Sequence, residues 1–324
     1  MFQQQGGPVV DITDIQAAAA RIAGHVLRTP TVVSPGLSDL LGVPVTAKLE
    51  LLQLGGSFKV RGAASKLLTL TDDERAAGVV AVSGGNHAIG VAVMAGALGV
   101  SATVVMPRSA PARAASAARA AGADVRLTDD MAGAFALMDQ LQQGGMTLLH
   151  PFADPVVLAG QGTVGLELAA DATDLTDVLV SIGGGALISG VAVALKARRP
   201  GIRVWGVETE GAQAMTDALA AGGPVPTELS SVVSTLSAPS VSQLTYDHVS
   251  TLVTEVLLVS DAEAVQGTLD LAEHAKVWAE PAAGCLVPAA RRVVEQLGGD
   301  VKLGFVVCGG NATTDDVFKW SRLG

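Results

Sequence analysis

The chain has 324 residues, a formal net charge of -10, 38 glycines and only two cysteines. An acidic balance excludes the basic footprint of a nucleic-acid binder, and two cysteines are too few for a disulfide framework. With 49% hydrophobic and 16% charged residues, the chain can bury one large core or two modest ones, in the manner of parallel strands alternating with helices. No charged leader followed by an apolar run opens the sequence, so a cytoplasmic address is expected. Residues Ala76 to Pro107 carry no Lys, Arg, Asp or Glu. Glycines interrupt that stretch, which argues for buried strand–helix–strand structure over a membrane span.

In chain order, Thr13–Leu27 reads as an amphipathic helix with Ile15, Ala19, Ile22 and Val26 at helical spacing, stopped by Arg28-Thr29-Pro30. Val43–Leu51 alternates as a strand. Leu54-Gly55-Gly56 then turns the backbone into a helix that starts near Lys59 and runs to about Leu70. Strand and helix alternate from there. The strands are Gly78–Ser83, Ala102–Met106, Asp124–Leu127, Met146–Leu149, Asp177–Ile182 and Arg203–Glu208. The helices between and after them are Asn86–Leu98, Ala112–Ala121 (opened by Pro111), Ala132–Gln142, Val156–Ala169, Ala186–Arg198 and Ala212–Ala221. From Gly222 to Ser242 the composition reads as a long surface loop. Strand Thr251–Val259, a helix from Ser260-Asp261 through His274, helix Pro281–Leu297, strand Val301–Val307 and a short final helix complete the chain. The alternation predicts a doubly wound α/β protein with its ligand at the carboxyl ends of strands.

Lys59 is the residue around which the rest is arranged. Partial burial at a helix start lowers a lysine pKa, and the freed amine can bond covalently to an aldehyde cofactor. Three glycine-marked turns follow strands: Ser83-Gly84-Gly85-Asn86-His87, Gly183-Gly184-Gly185-Ala186 and Gly309-Gly310-Asn311. Each presents backbone N–H groups at a helix start, where an anion is held. The triple glycine is the strongest phosphate candidate, since only Gly lets a backbone approach so closely. Neither G-x-G-x-x-G nor a Walker lysine is present, so a dinucleotide or NTP reading is weak.

These motifs, Ser57-Phe58-Lys59-Val60-Arg61-Gly62-Ala63, Ser83 to His87, Gly183 to Gly185 and Cys308-Gly309-Gly310-Asn311, together with His150-Pro151-Phe152 and Gly160-Gln161-Gly162-Thr163, resemble the threonine/serine dehydratase and serine racemase family. The resemblance runs from about Ile12 onward and is to the short, catabolic-type members without a regulatory domain. It implies an α/β fold-type II pyridoxal-phosphate enzyme (tryptophan synthase beta-like), with two doubly wound domains and the cofactor between them. The large domain would comprise residues 1–75 and 151–324, the small one 76–150. It further implies a homodimer acting on a small amino-acid substrate, with no nucleic-acid or membrane partner.

By the same resemblance, Lys59 would bind the pyridoxal 5'-phosphate aldehyde and act as the base at Cα, with Phe58 packing by the ring. Gly183, Gly184, Gly185, Ala186 and Leu187 would hold the phosphate, Asn86 the ring hydroxyl, and Cys308 would face the ring nitrogen. Glu280 would border the cofactor. Ser83, Gly84, Asn86 and His87 would hold the substrate carboxylate, with Phe152 on the substrate side. The expected reaction is dehydration and deamination of a β-hydroxy-α-amino acid, L-threonine or L-serine, to a 2-oxo acid and ammonia. Alternatives are a phenylserine- or hydroxyaspartate-type dehydratase, a racemase or β-replacement enzyme of the same fold, or a non-catalytic protein that holds the cofactor.

Four departures from the family pattern carry expectations of their own. Gly84 stands where racemases carry a serine as second base, so racemisation should be minor. Glu208 and Ala212 match a metal-binding pattern, but Ala214 replaces its Asp, so no tight metal site is expected. Val233-Ser234-Thr235-Leu236 and Ile89 depart near the expected substrate side, where apolar Ile89 and Phe152 would tolerate a larger β-substituent. Cys285 reads as core.

Overall fold

The computed structural model describes residues 9–298 and 300–320. Residues 1–8 and 321–324, which the expected large domain includes, lie outside the described residues. The strands are β1 (Thr31–Val33), β2 (Val45–Lys48), β3 (Val79–Val82), β4 (Ala102–Pro107), β5 (Asp124–Thr128), β6 (Thr147–Leu148), β7 (Asp177–Ser181), β8 (Arg203–Thr209), β9 (Glu255–Val259) and β10 (Leu303–Val306). They form a six-stranded sheet in the order β1-β2-β10-β7-β8-β9 and a four-stranded sheet in the order β5-β4-β3-β6. Every pairing is parallel except β1 with β2.

Both orders contain a reversal. In the larger sheet the chain steps outward through β7, β8 and β9, then returns to place β10 on the other side of β7. In the smaller sheet it steps from β3 through β4 to β5, then returns to place β6 on the other side of β3. Loops leaving two neighbouring strands at such a point diverge and leave a crevice at the carboxyl ends. The loops after β7, β10, β3 and β6 are the ones carrying Gly183–Gly185, Cys308–Asn311, Ser83–His87 and His150–Phe152.

The helix Lys59–Leu67 is held between two others through a glycine on each. A Cβ on Gly90, in the helix Asn86–Leu98, would stand 3.0 Å from Lys59 Cβ. One on Gly160, in the helix Pro155–Asp171, would stand 2.7 Å from the Arg61 carbonyl. A buried ion network fixes the same helix from below. Arg61 is wholly buried; its Nε and Nη2 donate to Glu50 at 2.8 Å each, and its Nη1 and Nη2 donate to Glu167 at 2.8 and 2.9 Å. Lys48 Nζ donates to Glu167 at 2.5 Å and to the Thr29 carbonyl at 2.7 Å. Two cations and two carboxylates balance, which is what makes their burial tolerable.

Several elements differ from expectation. The strand–helix pair β1 and Pro35–Leu41 and the helix Asp72–Ala77 are additional to the expected elements. Their signals are short-range: Ser34 caps and Pro35 opens the first helix, and Thr71 with Glu74 forms a capping box on the second. The strand expected from Thr251 begins at Glu255, because Ser242 and Thr245 cap a helix Gln243–Leu252 first. The helix expected over Pro281–Leu297 is two pieces, Pro281–Gly284 and Leu286–Leu297. Pro288 has no N–H to give the Gly284 carbonyl, so the helical ladder cannot run through.

Candidate active site

Two backbone hydrogen bonds, the pair that makes Ser57 and Gly309 an antiparallel bridge, stitch the turn before Lys59 to the end of β10 some 250 residues later, and a third ties Glu280 to the same strand end. Phe58 N–H donates to the Cys308 carbonyl at 3.1 Å, Gly310 N–H to the Gly56 carbonyl at 3.0 Å, and Glu280 N–H to the Gly309 carbonyl at 3.1 Å. The left-handed Gly55 (φ +68°) and Gly56 (φ +74°) make that turn possible. Lys59 is thereby set half-buried at the first helical position, with Nζ 5.0 Å from the centre of the Phe58 ring.

A cavity of about 540 Å³ opens above it between the two sheets. The residues expected to hold cofactor and substrate line this cavity: Lys59 and Phe58, Ser83 to His87, Phe152, Gly183 to Leu187, Glu280 and Cys308. Gly185 (φ +92°) precedes the helix Ala186–Arg198, whose first bond runs from Ser189 N–H to the Gly185 carbonyl at 3.0 Å. The N–H groups ahead of that bond are free for an anion, and the helix dipole favours one. A Cβ on Gly184 would enter the Phe152 ring at 2.0 Å, so with Phe152 in place the loop keeps this position only as glycine.

The charges around Lys59 are tuned by burial. Desolvation lowers the Lys59 amine to about 8, against the opposing pull of Cys308 and Glu280. Burial, with Glu280 adding to it, pushes the Cys308 thiol up to about 12, so it stays neutral. Glu280 is raised by burial to about 7. Its Oε1 accepts from Asn86 Nδ2 at 2.6 Å. His87 is lowered to about 3, by burial first and then by the Lys59 charge. Its Nε2 lies 2.8 Å from the Leu149 carbonyl, so that nitrogen carries the proton and the buried Nδ1 is an acceptor without a partner.

These features fit pyridoxal phosphate: a lowered amine for the aldehyde, a glycine cradle for the phosphate in which Gly184 and Gly185 have no room for a Cβ, and a neutral thiol at the strand end bonded to the lysine turn. The departures noted in the sequence also find their places. A Cβ on Gly84 would meet Ala110 Cβ at 2.7 Å, so a second base has neither a side chain nor room there. Glu208 does more than end a strand. Its carboxylate accepts from Met215 N–H (2.8 Å), Thr216 N–H (2.9 Å) and Thr216 Oγ1 (2.7 Å), capping the helix Ala214–Ala221. Ser234, Thr235 and Leu236 line the cavity. Ile89 does not: it is buried, with Cγ2 3.3 Å from where a Cβ on Gly55 would stand, and the expectation that it faces substrate is corrected. Cys285 is buried core, its Sγ donating to the Ala282 carbonyl at 3.2 Å.

Two sets of residues escaped the sequence reading. Asn311 Nδ2 donates to Asn86 Oδ1 and to the Gly55 carbonyl, both at 2.8 Å. Met131, Phe135 and Met138 form one wall of the cavity. Asn311 belonged to a recognised motif, but no local signal says what it touches. The i, i+4, i+7 spacing of the other three reads equally as a core stripe.

An α/β enzyme in which a lysine faces an anion-binding glycine loop across a switch-point crevice is thus defined. The family described as pyridoxal-phosphate dependent enzyme matches residues 22–309, and the chain belongs to it, with pyridoxal phosphate as cofactor and the fold-type II architecture. The chain is 39% identical over 307 residues to the L-threonine ammonia-lyase of Thermotoga maritima, covering 94% of this chain and 76% of that one. It is 39% identical over 290 residues to the L-threonine dehydratase catabolic TdcB of Staphylococcus aureus, covering 88% and 84%. Maize serine racemase superposes with a TM-score of 0.90 at 33% identity over 97% of each chain. Among the described residues no helix is long and apolar enough to cross a membrane.

Proposed function

We propose that this chain is an ammonia-lyase that removes water and then ammonia from a β-hydroxy-α-amino acid, L-threonine or L-serine, leaving the 2-oxo acid. The observation that carries this reading is geometric: the turn before Lys59 is bonded to the strand end that carries the Cys308 thiol, and Gly84 packs on Ala110 where a second base would stand. Pyridoxal phosphate, when bound, supplies the electron sink that stabilises negative charge at the substrate Cα.

The protein's own groups do the rest. The N–H groups of Gly183 to Leu187 hold the phosphate, and the turn Ser83 to His87 binds the substrate carboxylate through its backbone. Asn86, held between Glu280 and Asn311, would have one amide hydrogen left for the ring hydroxyl. Lys59 takes the Cα proton, which a neutral amine can do near neutral pH. Cys308 would offer the ring nitrogen a neutral partner and no carboxylate, a setting that would favour loss of the β-hydroxyl over reprotonation. Gly84 packed on Ala110 removes the second base that racemisation requires.

The residues 76–150, which contain β3 to β6, form the small domain in this reading, and 1–75 with 151–324 the large one. A cytoplasmic homodimer belongs to the same proposal, and sedimentation of the purified protein tests its oligomeric part. Incubating the holoenzyme with L-threonine and L-serine tests the reaction. 2-Oxobutyrate or pyruvate forming in step with ammonia is the expected result; D-serine accumulating ahead of pyruvate, or no 2-oxo acid from either, would sink it.

A further inference from the structure

We propose that the side-chain end of this cavity is built for uncharged, apolar β-substituents up to the size of an aromatic ring, with Met131, Phe135 and Met138 setting that preference. The proposal deepens the reading of the site given above and rests on its placing the substrate amino acid in this cavity.

Asp130 caps the helix Met131–Gln143 by accepting from Gly133 N–H at 2.8 Å, which fixes the rotation of its first turns. Ala134, Leu137, Met138 and Leu141 pack towards β3 and β4 on Val80 and Val105. That contact satisfies the helix, yet Met131 and Phe135 remain 43% and 45% exposed. Both line the cavity together with Met138, at successive turns of one face. Large apolar side chains left open to a cavity beside a lysine and an anion loop are what recognition of an apolar ligand group requires. Leu148, Pro107 and Ala110 continue the same surface.

Charge points the same way. Among the described residues lining the cavity, Lys59 is the one lysine or arginine and Glu280 the one carboxylate. Lys59 is committed to the cofactor, and Glu280 is bonded to Asn86. Arg113, close enough to influence Glu280, is not a lining residue. The two lining histidines, His87 and His150, are both held towards the neutral form by burial, so a second substrate carboxylate would be desolvated with no cation to receive it, and a side-chain ammonium would find no free carboxylate. A cavity of about 540 Å³ lies within the range of roughly 300–1,000 Å³ that takes a drug-sized ligand.

The test is calorimetric binding of three amino acids that lack the hydroxyl leaving group, L-alanine, L-phenylalanine and L-aspartate, to the holoenzyme. L-Phenylalanine should bind about tenfold or more tighter than L-alanine, a span that one to a few apolar groups supply, and L-aspartate no tighter than L-alanine. Phe135→Ala or Met131→Ala should cut the phenylalanine-to-alanine ratio about tenfold, while Phe135→Leu keeps most of it. Equal binding of phenylalanine and alanine, tighter binding of aspartate, or a ratio untouched in both alanine variants would overturn the proposal. Because none of the three can be dehydrated, this outcome stands apart from whether threonine or serine is turned over.

Discussion

Asn311, on the loop after β10, donates its amide hydrogen at 2.8 Å to Oδ1 of Asn86, which opens a helix of the other sheet 225 residues earlier. The same Asn311 nitrogen reaches the Gly55 carbonyl in the turn before Lys59, and Glu280 takes one Asn86 hydrogen. One side chain therefore couples the lysine turn, the carboxylate-binding turn and the β10 loop.

Removing that coupling should be visible without loss of the fold. Asn311→Ala lets the Asn86 amide rotate, at a cost of about 1 kcal/mol for a lost hydrogen bond, or roughly a fivefold fall in kcat/KM. Cofactor dissociation should quicken in the same variant, and Asn311→Asp, which keeps size but loses the donor, should not restore it. Stopped-flow release and steady-state kinetics check both.

Gly184→Ala places a methyl group 2.0 Å from the Phe152 ring. The loop must withdraw from its anion-binding geometry or the ring must move. We expect cofactor affinity to fall at least tenfold, since several charge-assisted N–H contacts depend on that backbone. The double variant Gly184→Ala/Phe152→Ala should recover part of it. Equilibrium dialysis of pyridoxal phosphate against both variants decides the matter.

The Lys59 amine gives a pH prediction. With a folded-state value of about 8 against the ordinary 10.5, about a tenth of the amine is neutral at pH 7, against fewer than one in a thousand for an ordinary lysine. Reductive labelling of the cofactor-free protein by a small aldehyde should rise with pH around a midpoint near 8, and peptide mapping should place the label at position 59. The lowered value also bears on stability. Between about 8 and 10.5 the unfolded chain binds more protons than the folded one, so stability rises with pH across that window and is reduced below it. Lys59→Met should accordingly raise the Tm of the cofactor-free protein at pH 7, by roughly 2–4 °C per kcal/mol relieved, while abolishing activity.

Arg61 carries a third kind of prediction. Its removal leaves Glu50 and Glu167 facing Lys48 alone, one buried negative charge in excess. Arg61→Met should destabilise the protein by about 3–5 kcal/mol, read from the denaturant midpoint. Adding Glu50→Gln restores neutrality and should return a large part of that loss, because the penalty is an unpaired charge and not a missing contact.

How much of this was open to a reader of the sequence follows the range of the physics involved. Lys59 at a helix start, the glycine turns at Ser83–His87, Gly183–Gly185 and Gly309–Asn311, and the strand–helix alternation are set by residues a few positions apart: caps, left-handed glycines, hydrophobic period. Those features were legible, and so was the family they resemble. Local signals were also overlooked, as Ser34-Pro35 and the Ser242–Thr245 capping box show. Other features had no local signature at all. Nothing near Asn311 announces that it holds Asn86, nothing near Ile89 says that it packs on the Gly55 turn, and a Met131–Phe135–Met138 stripe looks like any core face. Local backbone chemistry shaped each loop, and only the strand order, by returning β10 beside β7 and β6 beside β3, decided which loops meet and which side chains face the space between them.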